Sequence, residues 1–114
     1  MATDQGLSPG EVVLVEIPSS GGHEQHGLRP IALITGVTMG LITAIPLTTN
    51  EEAISFPHTL TIKPSKDNGL SFVSTALVYQ VRALDCRKCQ EKLGKLSKND
   101  FLKIQHELKK YLNL

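Results

Sequence analysis

Short β-branched and aliphatic runs, each closed by Gly, Pro, Asn or Asp, recur along the first three-quarters of this chain. They read GEVVLVEI (10–17), PIALIT (30–35), LITAIPLT (41–48), HTLTIK (58–63) and the longer VSTALVYQVRAL (73–84). Apolar runs of this length between turn formers are read as strands. The first run stops at Pro18 and gives way to the loop PSSGGHEQHG. Gly36 to Gly40 turn the chain again, TNEEAISFP is a polar loop, and PSKDNG carries the strong Asn68-Gly69 turn signal. Pro46 interrupts the third run. Proline cannot donate to a ladder, which predicts an edge or a bulge near the end of that strand.

The end of the chain changes period. Ser97 and Asp100 form a capping-box-like start with Asp in place of Glu. Phe101, Ile104, Leu108 and Tyr111, joined by Leu112, then follow helical spacing and predict one amphipathic helix laid on the sheet. Five or so short strands followed by a helix predict a mainly β protein, a small and strongly bent barrel with a C-terminal helix packed against it. At 114 residues the chain holds one core. Residues 1–8 are expected to be a flexible tail and 9–114 a single domain. No apolar run approaches the length of a membrane span, and MATDQGLSPG has neither the basic nor the apolar part of a signal peptide. A soluble cytoplasmic protein is expected.

Charge is unevenly placed although the net value is only +1. Residues 1–81 carry three basic and seven acidic side chains; residues 82–114 carry nine basic and four acidic. The basic third can attract a phosphate backbone or an acidic peptide, and it also fits an ordinary solvated helix face. Cys86 and Cys89 form a lone C-x-x-C. A structural zinc site takes four ligands, and no second pair exists to complete one. The βαβ setting of a redox motif is also missing. Two reduced cysteines and no metal or other cofactor are the expectation.

The segment GHEQHGLRP (22–30) concentrates reactive side chains between two apolar runs. His23 and His26 are three apart and flanked by glycines, so the helical H-E-x-x-H zinc motif does not fit. Arg29 precedes Pro30, which biases it towards extended geometry at the mouth of the strand. Its guanidinium suits bidentate phosphate binding, and Glu24, His23 and His26 are proton-transfer candidates. A surface ion pair between Arg29 and Glu24 accounts for the same residues. Thr48 and Thr49 put two hydroxyls after Pro46, able to hold a phosphate oxygen or to cap a turn. Arg82 and Asp85 are most simply an ion pair. Phe56 is the best candidate to stack on a base, or equally a loop anchor. His58 and His106 lack a supporting constellation.

The succession PGEVVLV, GHEQHGLRP, ALIT, IPLTT, Gln80-Val-Arg82-Ala-Leu-Asp85-Cys-Arg87 and LGKLS before a helix resembles the MazF/PemK (Kid) family of type II toxins, from about residue 9 to the end. The resemblance implies a metal-independent, sequence-selective endoribonuclease on an SH3-like barrel with a C-terminal helix, related to the gyrase poison CcdB. It implies a homodimer with single-stranded RNA, such as mRNA, in a groove near the subunit interface. Cleavage in this family leaves a 2′,3′-cyclic phosphate and a 5′-hydroxyl. A cognate antitoxin with an acidic, otherwise disordered tail would block the groove. Carried over residue by residue, Arg29 matches the catalytic arginine, Thr48 the active-site threonine, and Glu24 and Gln25 the E-Q pair. Gln80, Arg82 and Asp85 match Q-x-R-x-x-D. Glu24 joins Arg29 and Thr48 as a catalytic candidate; Gln25, His26, Thr49, Phe56, Gln80 and Arg82 are the RNA-binding candidates. Tyr79 stands where many members carry an acidic residue. The competing readings are a non-enzymatic CcdB-like gyrase inhibitor and a protein-binding module on the same barrel.

Overall fold

The computed structural model describes residues 6–18, 22 and 27–114. Seven strands and one helix follow in order: β1 Glu11–Ile17, β2 Gly27–Leu33, β3 Leu41–Thr48, β4 Thr59–Ile62, β5 Ser74–Leu77, β6 Arg82–Asp85, β7 Cys89–Lys95 and α1 Lys98–Tyr111. Pairing is antiparallel throughout, in the order β4-β5-β3-β2-β1-β7, with β6 also on β3. The result is the mainly β, barrel-like architecture with a terminal helix that the strand pattern predicts.

The inner strands read as nearly unbroken apolar runs because both faces of the sheet are covered. Val13, Val15 and Ile17 turn one way, to meet Ile31, Leu33, Ile42, Ala44 and Leu84. Val12, Ala32, Ile45 and Leu47 turn the other way, to meet Ile62, Ala76 and Ile104 of α1. Ser97 caps the helix by accepting from the Asp100 amide at 3.0 Å. Phe101 and Leu108 flank the buried Ile104, as the spacing predicts. Tyr111 and Leu112 do not bury: they lie 39% and 47% exposed.

Three features of the strands depart from what the sequence pattern announces. Pro46 is neither at an edge nor in a bulge; it lies buried in the central strand, opposite Ile31. On its other side β3 pairs with β6 through Ala44 and with β5 from Leu47, so Ile45 and Pro46 face the gap between two partners. A missing N–H is tolerated there. Second, VSTALVYQVRAL is not one strand. It follows β3 as β5 and then β6, broken by a 3₁₀ turn at Val78–Gln80 that fills the same gap. Third, β7 (CQEKLGK) escapes pattern reading because it pairs only with β1, through an irregular register, and is mostly solvent-facing.

Two local devices hold the barrel together. Glu11, only 8% exposed, accepts from the Ser8 amide at 2.7 Å and pairs with Lys92 Nζ at 2.8 Å. Lys92 also donates to the Gly6 carbonyl, and Leu7 is buried in the core. Within the expected tail, residues 6–8 are therefore packed on the sheet, and residues 1–5 lie outside the described residues. Asn68 is 1% exposed and anchors the 64–69 turn. Its Oδ1 accepts from the Ser65 and Leu70 amides at 3.0 Å each, and its Nδ2 donates to the Lys63 carbonyl at 2.9 Å.

Candidate functional site

The ladder between β2 and β3 runs Leu33↔Ala44, Ala32↔Ile45, Ile31↔Pro46. Two residues past the last rung lie Arg29, inside β2, and Thr48, the last residue of β3. Directly opposed residues of an antiparallel pair share a face, so this register puts Arg29 and Thr48 on one face of the sheet. Arg29 is half-buried and sits inside β2, opposite Val15 of β1, rather than at the strand mouth. Thr48 is 5% exposed and opposite Thr75 of β5. Its Oγ1 accepts from the Asn50 amide at 3.2 Å, which leaves the hydroxyl hydrogen to be donated elsewhere.

On the other side of β3, Arg82 opposes Ala44, which in turn opposes Leu33. Arg82 therefore lies on the same face as Arg29 and Thr48, and is half-buried. It does not pair with Asp85, because residues three apart on a strand point to opposite faces. Asp85 instead caps the next turn. It accepts from the Arg87 amide at 2.9 Å and holds the Arg87 guanidinium at 2.7 Å. These Arg87 hydrogen bonds bring the Asp85 pKa down from its ordinary 3.8 to about 2, and Asp85 in turn raises that of Arg87. Asp85 thus supports the fold fully above the ordinary carboxylate range and loses its contribution as pH falls through about 2. NMR titration of the Asp85 carboxyl is expected to give that low midpoint, and Arg87→Ala should return it to the ordinary range.

Thr49 is exposed and borders a groove of about 540 Å³ walled also by Asn50, Ile54, Thr61, Phe72 and Val73. Phe56 does not anchor its loop against the core. It is 49% exposed and meets Tyr79 edge-on, with ring centroids 6.4 Å apart. Gln80 is half-buried in the 3₁₀ turn and donates from Nε2 to the Tyr79 hydroxyl at 3.1 Å. His58 does have a constellation, which only the fold reveals: Glu107 of α1 lies 2.8 Å from its Nδ1, and Tyr111 packs against its ring. His106 is exposed. Glu24, Gln25, His23 and His26 lie outside the described residues.

Cys86 and Cys89 are unbridged and buried in the core around Leu33 and Ile42. Burial first, and the neighbouring Cys86 second, push the Cys89 thiol above its ordinary pKa, which disfavours the reactive thiolate.

The family described as PemK-like, MazF-like toxin of type II toxin-antitoxin system matches residues 8–112. The chain belongs to this toxin family. Its fold is similar to that of MazF from Deinococcus radiodurans, with a TM-score of 0.79 at 24% identity over 95% of this chain and 97% of that one. MazF in a MazE–MazF complex from the same organism gives 0.73 at 24% identity, over 95% of this chain and 96% of that one. An endoribonuclease in complex with its cognate antitoxin, from a mycobacterial species, gives 0.71 at 18% identity over 96% of both chains. No curated relative matches in sequence. Within the PemK/MazF fold, strand register puts Arg29, Thr48 and Arg82 on one face of the sheet, Thr49 lines the groove, Phe56 lines an aromatic pocket, and Gln80 bonds to Tyr79 of that pocket. Asp85 turns out to cap a turn, and Tyr79 lines an aromatic pocket beside Gln80. Among the described residues, no helix is long and apolar enough to cross a membrane.

Proposed function

We propose that this PemK/MazF-family toxin is an endoribonuclease that cleaves single-stranded RNA without a metal, and that the groove beside Thr48 receives the RNA strand. The observation that best supports this reading is the register that puts a guanidinium and a hydroxyl, Arg29 and Thr48, on one face of the sheet, with Thr48 paired to Thr75 of the groove wall. In the reaction, the ribose 2′-oxygen attacks the adjacent phosphorus and gives its proton to a base. The bond from phosphorus to the 5′-oxygen breaks, and that oxygen takes up a proton. A 2′,3′-cyclic phosphate and a 5′-hydroxyl remain. Negative charge grows on the non-bridging oxygens, where preorganised donors lower the barrier most. Arg29 and Thr48 supply those donors. A guanidinium stays protonated, so the base is Glu24, His23 or His26, and Arg29 clamps the phosphate or protonates the departing oxygen.

The remaining assignments follow the same reading. Gln25, His26, Thr49, Phe56, Gln80 and Arg82 contact the RNA, and the toxin acts in the cytoplasm as a homodimer. The neighbouring structures described as MazE–MazF and as an endoribonuclease with its cognate antitoxin support an antitoxin partner here too. Lys98, Lys103, Lys109 and Lys110 are all exposed on α1, and an acidic, otherwise disordered antitoxin tail complements them.

Incubation of purified protein with a long single-stranded RNA in EDTA is expected to give discrete fragments with cyclic-phosphate ends. Full activity after combined Glu24→Gln, His23→Ala and His26→Ala substitution would remove those three as the base. No cleavage by well-folded protein would favour the gyrase-inhibitor or binding-module reading.

A further inference from the structure

We propose that the pocket formed by Phe56, His58, Tyr79 and Tyr111 is a nucleobase subsite, which stacks an unpaired base of the RNA beyond the groove at Thr49. The proposal rests on the ribonuclease reading and adds a second binding place to it.

The chain has three phenylalanines, two tyrosines and no tryptophan. Both tyrosines and one phenylalanine, drawn from three separate elements, meet with Pro57 and His58 around one pocket of about 440 Å³. These rings do not fill the core: Phe56 is 49% and Tyr111 39% exposed. Neither ring pair is stacked. Phe56 and Tyr79 lie at 82° to each other, and His58 and Tyr111 at 60° with centroids 5.1 Å apart. Edge-to-face packing leaves ring faces open to a further planar group.

The walls are also held before any ligand arrives. His58 sits at a left-handed φ of 58°, a conformation that a non-glycine residue keeps only when its surroundings impose it. Glu107 holds its Nδ1 at 2.8 Å, and Lys110 flanks the same carboxylate at 3.7 Å. Gln80 ties down the Tyr79 hydroxyl. Preorganised walls lose little entropy on binding.

Position favours RNA as the occupant. One stretch of chain walls both depressions, with Thr49 and Ile54 on the groove and Phe56 to His58 on the aromatic pocket. Unpaired bases stacked on aromatic rings are the common mode of single-strand recognition, and stacking is tolerant of base identity.

Because both tyrosines line this pocket, protein labelled with 3-fluorotyrosine carries two ¹⁹F reporters of this site and no other. The probe is a mixed-sequence single-stranded 2′-O-methyl oligonucleotide, which lacks the attacking hydroxyl and stays intact. Both resonances are expected to shift saturably. Tyr111→Leu, at the exposed end of α1, and Phe56→Leu should each weaken binding about ten-fold and raise KM for a long RNA while sparing kcat. Unmoved resonances, while the same oligonucleotide binds and long RNA is cleaved, would overturn the subsite and leave the ribonuclease intact. Neither binding nor cleavage would overturn both. Resonances that respond to an acidic peptide but not to the oligonucleotide would make the pocket a protein-docking site and reject the proposal.

Discussion

Arg29→Ala is expected to slow cleavage of single-stranded RNA by about 10²- to 10³-fold, the usual cost of one preorganised donor to a developing oxyanion. Its fold should survive. Arg29 takes part in the β1–β2 ladder through its backbone and is only half-buried, so truncation removes no core contact of the kind that Ile31 makes. The measurement is the single-turnover rate in EDTA, with a thermal melt of each protein alongside. A loss carried by the rate rather than by KM assigns Arg29 to the transition state. A rate equal to wild type would remove Arg29 from the chemistry. Thr48→Val is the less clean partner experiment. The Thr48 hydroxyl also receives the Asn50 amide, so that change costs stability as well, about 1 kcal/mol.

Gly94→Ala should be among the most damaging small substitutions in the barrel, costing about 3 kcal/mol and lowering Tm by more than about 10 °C. A Cβ at Gly94 would run into the backbone of Asp67 and Asn68, and one at Gly69 into the backbone of Leu93. The 64–69 turn and β7 thus touch backbone to backbone, and the Lys95 amide donates to the Asp67 carbonyl at 2.7 Å across the same contact. Neither side can retreat. The turn is pinned by Asn68, and β7 by its pairing with β1. Gly40→Ala is the matched control. At φ +80 with nothing near its Cβ, it tests backbone strain without a collision and should cost only about 1 kcal/mol. A Gly94→Ala melt close to that of wild type would mean that the turn does not dock on β7.

How much was legible before the fold depended on the kind of signal. β1 and β3 were readable nearly to the residue, because strands buried on both faces leave long apolar runs between turn formers. The helix was readable from its cap and its period, but Tyr111 and Leu112 were assigned to the buried stripe, because spacing does not say how far along the helix burial extends. β7 was missed for the opposite reason: an outer strand with one neighbour has few apolar residues to announce it. Arg82 and Asp85 looked like an ion pair by charge and proximity. Alternation along a strand separates them, and Arg87, two residues on, takes the carboxylate instead.

Among the site residues, Arg29 and Thr48 stood out from their neighbours in sequence, a proline after one and an apolar strand before the other. The sequence by itself therefore determined the mainly β barrel with its helix, the toxin family, and the residues that deserve testing. Only the tertiary structure decided which of them share a face, since β2, β3 and β6 meet through pairings that no local pattern encodes. The aromatic pocket is the clearest case. Phe56 and His58 share one loop, Tyr79 lies in a 3₁₀ turn and Tyr111 on α1, and only the packing of α1 beside that loop and turn brings their rings together. Local propensity and periodicity act over a few residues, whereas a site is an agreement between distant segments.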